Sequence, residues 1–200
     1  MPGDPLSRKA LQYSGMAVTR SFRLDKAYSE MLMKEAHDNG VSLSSLLGKI
    51  IKDYLALYAY AEKYSTVMMS QHEVDAMIGS VSEEDARNLG EKMGSMTPIS
   101  LLLMRGMSPP DLDSLIWLLE EIYGKRMGWF SIYNNVVEDE RVLYLTHNLC
   151  RNWTAFLGGY MMATFESVLG LKVSHEFLGT SIAVRIPLPK EKRPASERVR

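Results

Sequence analysis

The order of apolar and polar side chains divides the chain into two stretches with different periodicities. Residues 18–24 alternate, with Thr19, Ser21 and Arg23 on one side and Phe22 and Leu24 on the other, which predicts a short strand. Asp25 is a good N-cap for a helix running from Lys26 to about Asn39, and the pair Asn39-Gly40 is suited to the left-handed turn that ends one. Ser42 caps a second helix whose apolar positions (Leu46, Leu47, Ile50, Ile51, Tyr54, Leu55 and Tyr58) follow a 3.6-residue stripe. No glycine or proline stands between Gly48 and Gly79, so this helix is expected to continue through Tyr64 as a stiff connector and to break near Gly79. Ser82-Glu83-Glu84-Asp85 predicts a further helix ending near Gly90 or Gly94. Thr97-Pro98 begins a short one, and Ser108-Pro109-Pro110-Asp111 begins another that reaches about Tyr123-Gly124.

The rhythm then changes. Residues 128–137 and 141–147 read as two strands joined by the polar turn Glu138-Asp139-Glu140. Residues 149–169 form a helical stripe (Leu149, Trp153, Phe156, Tyr160, Thr164, Val168) stopped by Gly170, and residues 172–177 and 181–187 are two more strands around Gly179. The expected organisation is an arm (1–16), a strand-helix-helix module (17–60), a helical connector (61–80), an α+β domain (81–188) and a charged, disordered tail (189–200). The fold class is α+β, with a strand-strand-helix-strand-strand antiparallel sheet in the second part.

A lone strand before two helices cannot satisfy its own backbone groups or bury its apolar side. The economical solution is a two-fold dimer in which each chain donates one strand to an antiparallel ribbon. In this arrangement residues 18–58 resemble the ribbon-helix-helix (MetJ/Arc-type) DNA-binding family: the strand Thr19-Arg20-Ser21-Phe22-Arg23-Leu24-Asp25, a first helix ending in Asn39-Gly40-Val41-Ser42, and a second carrying Ser44-Ser45-Leu46-Leu47, Ile50-Ile51 and Tyr54-Leu55. The resemblance implies an intertwined homodimer, or a higher homo-oligomer, bound to double-stranded DNA. Thr19, Ser21 and Arg23 would read base edges in the major groove. Arg20, Lys26, Ser42, Ser44 and Ser45 would hold phosphates, the serines at the N-terminus of the second helix. Arg20 departs from the family pattern, standing where an aliphatic residue is usual; it either snorkels at the ribbon's end or reaches a phosphate.

Charge tempers this expectation. The 200-residue chain is 46% hydrophobic and 24% charged, with a formal net charge of -1 and a pI of about 6.4, so DNA binding rests on the local motif alone. Locally the chain is only mildly basic, through Arg8, Lys9, Arg20, Arg23 and Lys26. A single cysteine, Cys150, excludes an intramolecular disulfide. No apolar run reaches the ~18 residues of a membrane span and no signal-peptide pattern is present, so a cytoplasmic protein without a membrane partner is expected. No phosphate loop, dinucleotide-binding glycine pattern or nucleophile elbow is found, which argues against an enzyme. Leu157-Gly158-Gly159-Tyr160, inside a helical pattern, instead suggests close packing of a neighbour.

The second part, from His147-Asn148-Leu149-Cys150-Arg151-Asn152-Trp153 to Leu171-Lys172-Val173-Ser174-His175-Glu176, resembles small-molecule-binding domains of the vinyl-4-reductase type, although the cysteines of metal-binding versions are missing from the last strands. That resemblance implies a ligand-sensing or assembly domain, with Trp129, Tyr133, Tyr144, Trp153, Phe156 and Tyr160 as a candidate pocket for a small-molecule effector. His147 and Cys150 at i and i+3, with His175 or His72, form the alternative, a metal effector site. No resident cofactor is expected. The sequence thus predicts a DNA-binding transcription regulator. Its alternatives are a dimeric scaffold or partner-binding protein that uses the ribbon only to dimerise, and a metal-responsive repressor.

Overall fold

The computed structural model describes residues 18–59, 62, 67–97, 99–104 and 107–188. The expected arm and tail, and the continuation of the second helix as far as Tyr64, lie outside the described residues. The chain divides into two compact units, Met1–Val67 and Met68–Arg200.

In the first unit, α1 (Lys26–Asp38) starts where the Asp25 carboxylate accepts the Ala27 N–H at 2.8 Å. It ends at Gly40, whose φ of +64° places it in the left-handed region that glycine enters without strain. α2 (Leu43–Asp53) starts at Ser42, whose hydroxyl accepts the Ser45 N–H at 3.1 Å, and it continues as a π-helical turn, Tyr54–Tyr58. Residues 18–24 join no sheet among the described residues, so the predicted strand is not formed within one chain. The physical reason is the one that suggested a partner: strand geometry is stable only when a second strand takes up its backbone groups, and none is at hand in this unit.

The second unit begins earlier than the sequence suggests. Where an unbroken connector is expected over 61–80, residues 67–70 are non-helical and a separate helix, α3 (Gln71–Gly79), follows. Its start is a capping box: the Glu73 N–H donates to the Ser70 hydroxyl at 3.3 Å, and the Ser70 N–H donates back to the Glu73 carboxylate at 2.7 Å. This Ser-x-x-Glu signal is present in the sequence and outweighs the absence of glycine or proline. α4 (Glu83–Ser95) is capped by Ser82 and runs through both Gly90 and Gly94. α5 (Ser100–Met104) is short. α6 (Leu112–Trp117), capped by Asp111, continues as π-helix over Leu118–Gly124.

Four strands follow, β1 (Ser131–Val137), β2 (Glu140–Thr146), β3 (Ser174–Leu178) and β4 (Ser181–Pro187), with α7 (Arg151–Leu169) between the two hairpins. The sheet is antiparallel throughout, in the order β1-β2-β4-β3. The observed class is therefore α+β. Register assigns the two faces. Leu143 pairs with Val184, Leu145 with Ile182 and Phe177 with Ile182, which puts these side chains on one face together with His175 and Ile132. α7 lies against that face, since a Cβ at Gly158 would stand 3.1 Å from the Phe177 ring. α6 lies against the β1–β2 part of the same face, its π-helical end placing Gly124 against Ile132 and its first turn holding Arg141 through Asp113 at 2.7 Å. The opposite face carries Tyr133, Asn135, Tyr144 and Arg185, and it is largely open.

The helical layer is held by an unusually close crossing of α4 and α7. A Cβ added at Gly90 would lie 2.0 Å from the Phe156 carbonyl oxygen, at Gly94 2.3 Å from that of Tyr160, and at Gly159 2.3 Å from that of Arg87. Backbone touches backbone at three places, and only glycine permits it. Gly159 thus serves the packing role its sequence position suggests, whereas Gly90 is no helix terminator.

Candidate interaction surface

Burial in the first unit is incomplete in a specific way. Of its described apolar residues only Ala36 and Ala56 are buried, and α2, the more amphipathic helix, has no buried residue at all. Phe22 is 61% exposed, Met31 67%, Ile51 54% and Leu55 49%. Two helices joined by one tight turn can cover only the strip between them, here Leu32, Leu43, Leu46 and Leu47, all half-buried. The apolar stripe of α2 continues around to Ile50, Ile51, Tyr54, Leu55 and Tyr58, which face solvent. Contiguous exposed apolar surface of this kind marks an interaction site.

The residues assigned to DNA lie on this same unit. Thr19, Arg20, Ser21, Arg23 and Lys26 are exposed and form no ribbon. Ser42, Ser44 and Ser45 are exposed at the start of α2, where Ser42 and Ser45 share a hydroxyl–hydroxyl bond of 2.9 Å and Ser42 caps the helix. Over residues 18–58 there are six Lys and Arg side chains and five carboxylates, and Lys26 and Lys34 are each matched with an acid on the next turn, Glu30 and Asp38. A DNA interface needs an excess of clustered positive charge; this surface is apolar with its charges nearly balanced.

In the second unit the nominated pocket separates into two unrelated groups. Trp153 and Phe156 stack at 4.6 Å, and Trp129 meets Trp153, Phe156 and Tyr160 edge-on at 5.3 to 5.9 Å. Trp153, Phe156 and Tyr160 are buried core, and Trp129, half-buried, packs edge-on against them. Tyr160 is also tied by its hydroxyl to Thr97 at 3.0 Å, and Thr97 to Thr164 at 2.9 Å, which satisfies a buried polar cluster. Tyr133 and Tyr144 form their own pair at 6.3 Å on the open face of the sheet. A small cleft of about 190 Å³ does exist, between Gln71, Phe130, His147 and Leu149, and only Trp129 of the six nominated residues lines it.

Among the described residues no group of three or more His, Cys, Asp or Glu side chains is placed to hold a metal. Leu149 N–H donates to His147 Nδ1 at 3.2 Å, so Nε2 carries the proton and faces the Thr154 hydroxyl at 3.0 Å; both ring nitrogens are in use. Cys150 is held by its backbone, its N–H donating to Asp75 Oδ1 at 2.6 Å. His175 packs on Phe177 instead, with ring centroids 4.7 Å apart. Asp75 and Asn152, which donates to the Ile78 and Val81 carbonyls, fasten α3 and the following turn to the start of α7. Nothing in local sequence marked either residue, because their partners lie more than seventy positions away.

Burial pushes the pKa of His147 below its ordinary value of 6.5, with the Asp75 carboxylate opposing; burial and then Arg87 push His175 down as well. The folded state therefore prefers both rings neutral. Stability is complete above about pH 6.5 and falls as the pH drops from there towards the lowered folded-state values, because the unfolded chain then binds more protons. Urea midpoints at pH 7.5 and 5.5 are expected to differ more in the wild type than in a His147→Gln, His175→Gln variant. An equal pH dependence in both would refute this.

No family model and no curated protein sequence matches the chain. Among solved structures it is similar to a trafficking protein particle complex subunit 3 from Naegleria fowleri, described as covalently bound to palmitic acid, at 12% identity and a TM-score of 0.38, over 71% of this chain and 97% of that one. The expectation of a DNA-binding transcription repressor with double-stranded DNA as its partner is corrected by the surface that was to meet DNA, which is apolar and nearly charge-balanced. No helix among the described residues is long and apolar enough to cross a membrane.

Proposed function

We propose that this chain is a non-catalytic scaffold or partner-binding protein that works as a dimer, with its first unit as the dimerising element. Residues 18–24 of two copies pair as an antiparallel ribbon, and the outward stripes of α1 and α2 close over it in the ribbon-helix-helix arrangement. The observation that carries this reading is the exposure of Phe22 in the segment before α1, and of Ile51 and Leu55 along α2 and its π-helical turn, beside helices that are properly capped. Capping marks where each helix begins, and the uncovered apolar face supports the reading that a second chain completes the core. A two-fold partner supplies the missing strand and the missing apolar layer together, because the same residues meet across an isologous interface.

Light scattering on the full chain tests the proposal. The wild type is expected to have an even number of subunits. Ile51→Asp, at an exposed position that leaves each chain's own packing intact, is expected to weaken this contact at least about a hundredfold, since a carboxylate must be buried in an apolar interface. A monomeric wild type, or a variant that associates as the wild type does, would sink it.

A further inference from the structure

The four-stranded sheet has two edges, and they are built differently. β3 is five residues long and has Glu176 at its centre, 3.6 Å from Arg185. A second β3 paired with it about that centre would set carboxylate against carboxylate. β1 is seven residues long, reads Ser-Ile-Tyr-Asn-Asn-Val-Val, and holds no charge and no proline; its register with β2 is unbroken from Ser131 to Val137. Natural edge strands are usually blunted by charge, proline or a bulge, and β1 has none of these.

The two-residue turn Glu138-Asp139 makes Val137 and Glu140 the closing hydrogen-bonded pair. Antiparallel alternation then turns the N–H and C=O groups of Ile132, Asn134 and Val136 away from β2. The Val136 N–H is taken by the Asn135 side chain at 2.9 Å, which fits an outward direction. Among the described residues no other backbone group pairs with this edge.

We infer that β1 pairs antiparallel with β1 of a second copy, about a two-fold axis at Asn134, joining two sheets into one of eight strands. On the helix-covered side Ile132 then meets Val136 of the other copy, an apolar pair that extends the core layer. On the open side Tyr133 meets Asn135. No like charges within the paired strands are opposed anywhere along the contact, whereas the β3 edge would oppose two at its centre, and this favours a second copy at β1. The contact is independent of the first unit and goes beyond the reading given for it. A chain with two separate self-contacts builds assemblies larger than a dimer, which suits a scaffold.

The test uses the full chain in an Ile51→Asp background, where the first unit's contact is disabled. Light scattering is expected to show a remaining dimer. Asn134→Pro, which removes an outward N–H and the side-chain bond to Glu120 but leaves the β1–β2 ladder intact, is expected to convert it to monomer. Asn134→Asp, which sets two carboxylates at the axis, is expected to weaken it at least tenfold. Hydrogen exchange at the Ile132 and Asn134 amides is expected to slow at least tenfold between dilute and concentrated Ile51→Asp protein. A monomeric background protein, or a dimer untouched by Asn134→Pro, overturns the inference. Slow exchange that is independent of concentration does so too. If Asn134→Pro disassembles the wild-type first-unit background while Ile51→Asp changes nothing, the edge contact stands and the first-unit reading fails.

Discussion

Gly90→Ala is expected to destabilise the second unit by about 3 kcal/mol, although alanine is the better helix former by about 1 kcal/mol. The added methyl would stand 2.0 Å from the Phe156 carbonyl oxygen and 2.9 Å from both the Phe156 carbonyl carbon and the Tyr160 nitrogen. All three are backbone atoms of α7, so no side chain can swing away, and α4 must lift off its neighbour. Gly159→Ala makes the same demand from the other side, at 2.3 Å from the Arg87 carbonyl oxygen. The double variant is expected to cost clearly less than the sum of the singles, because the first methyl already separates the helices and the second then finds room. Urea unfolding of the three variants checks this. A Gly90→Ala protein as stable as the wild type would mean that α4 and α7 do not cross as closely as described.

Phe156→Ala is expected to cost about 3–5 kcal/mol, the range for removing a large ring from a filled core. Phe156 is 2% exposed, stacks on Trp153, touches Trp129 and lies beside Tyr160. If these rings lined an open pocket, removing one would alter what the pocket admits and leave stability nearly unchanged. A loss under about 1 kcal/mol would therefore restore the pocket and refute the core assignment.

The two substitutions also mark where the sequence could be read and where it could not. Capping residues act within one turn of chain, so Asp25, Ser42, Ser82 and Asp111 each announced a helix that is present. Gly40, Gly170 and Gly179 announced ends and turns for the same local reason, and all three have φ between +64° and +68°. The β-hairpins and α7 followed from alternation and from a helical stripe. The break at residues 67–70 was legible in Ser70 and Glu73, but the lack of glycine and proline nearby seemed to argue for continuity. An aromatic stripe, in contrast, is the same string of letters whether its rings enclose space or fill it. Nor does the string of letters say which way His147 and His175 point; the structure turns His147 to Thr154 and Leu149, and His175 to Phe177.

The sequence by itself determined most of the elements and their order, the α+β class and the amphipathic stripe of α2, because these are written in interactions between residues a few positions apart. Tertiary structure alone decided that Gly90 is a crossing point instead of a helix end, that Trp153, Phe156 and Tyr160 are core, and that β1 is an edge without charge. It also decided that the stripe of α2 stays uncovered in a single chain. Each of these depends on what stands opposite a residue in space, and that is fixed by packing between segments far apart in the chain.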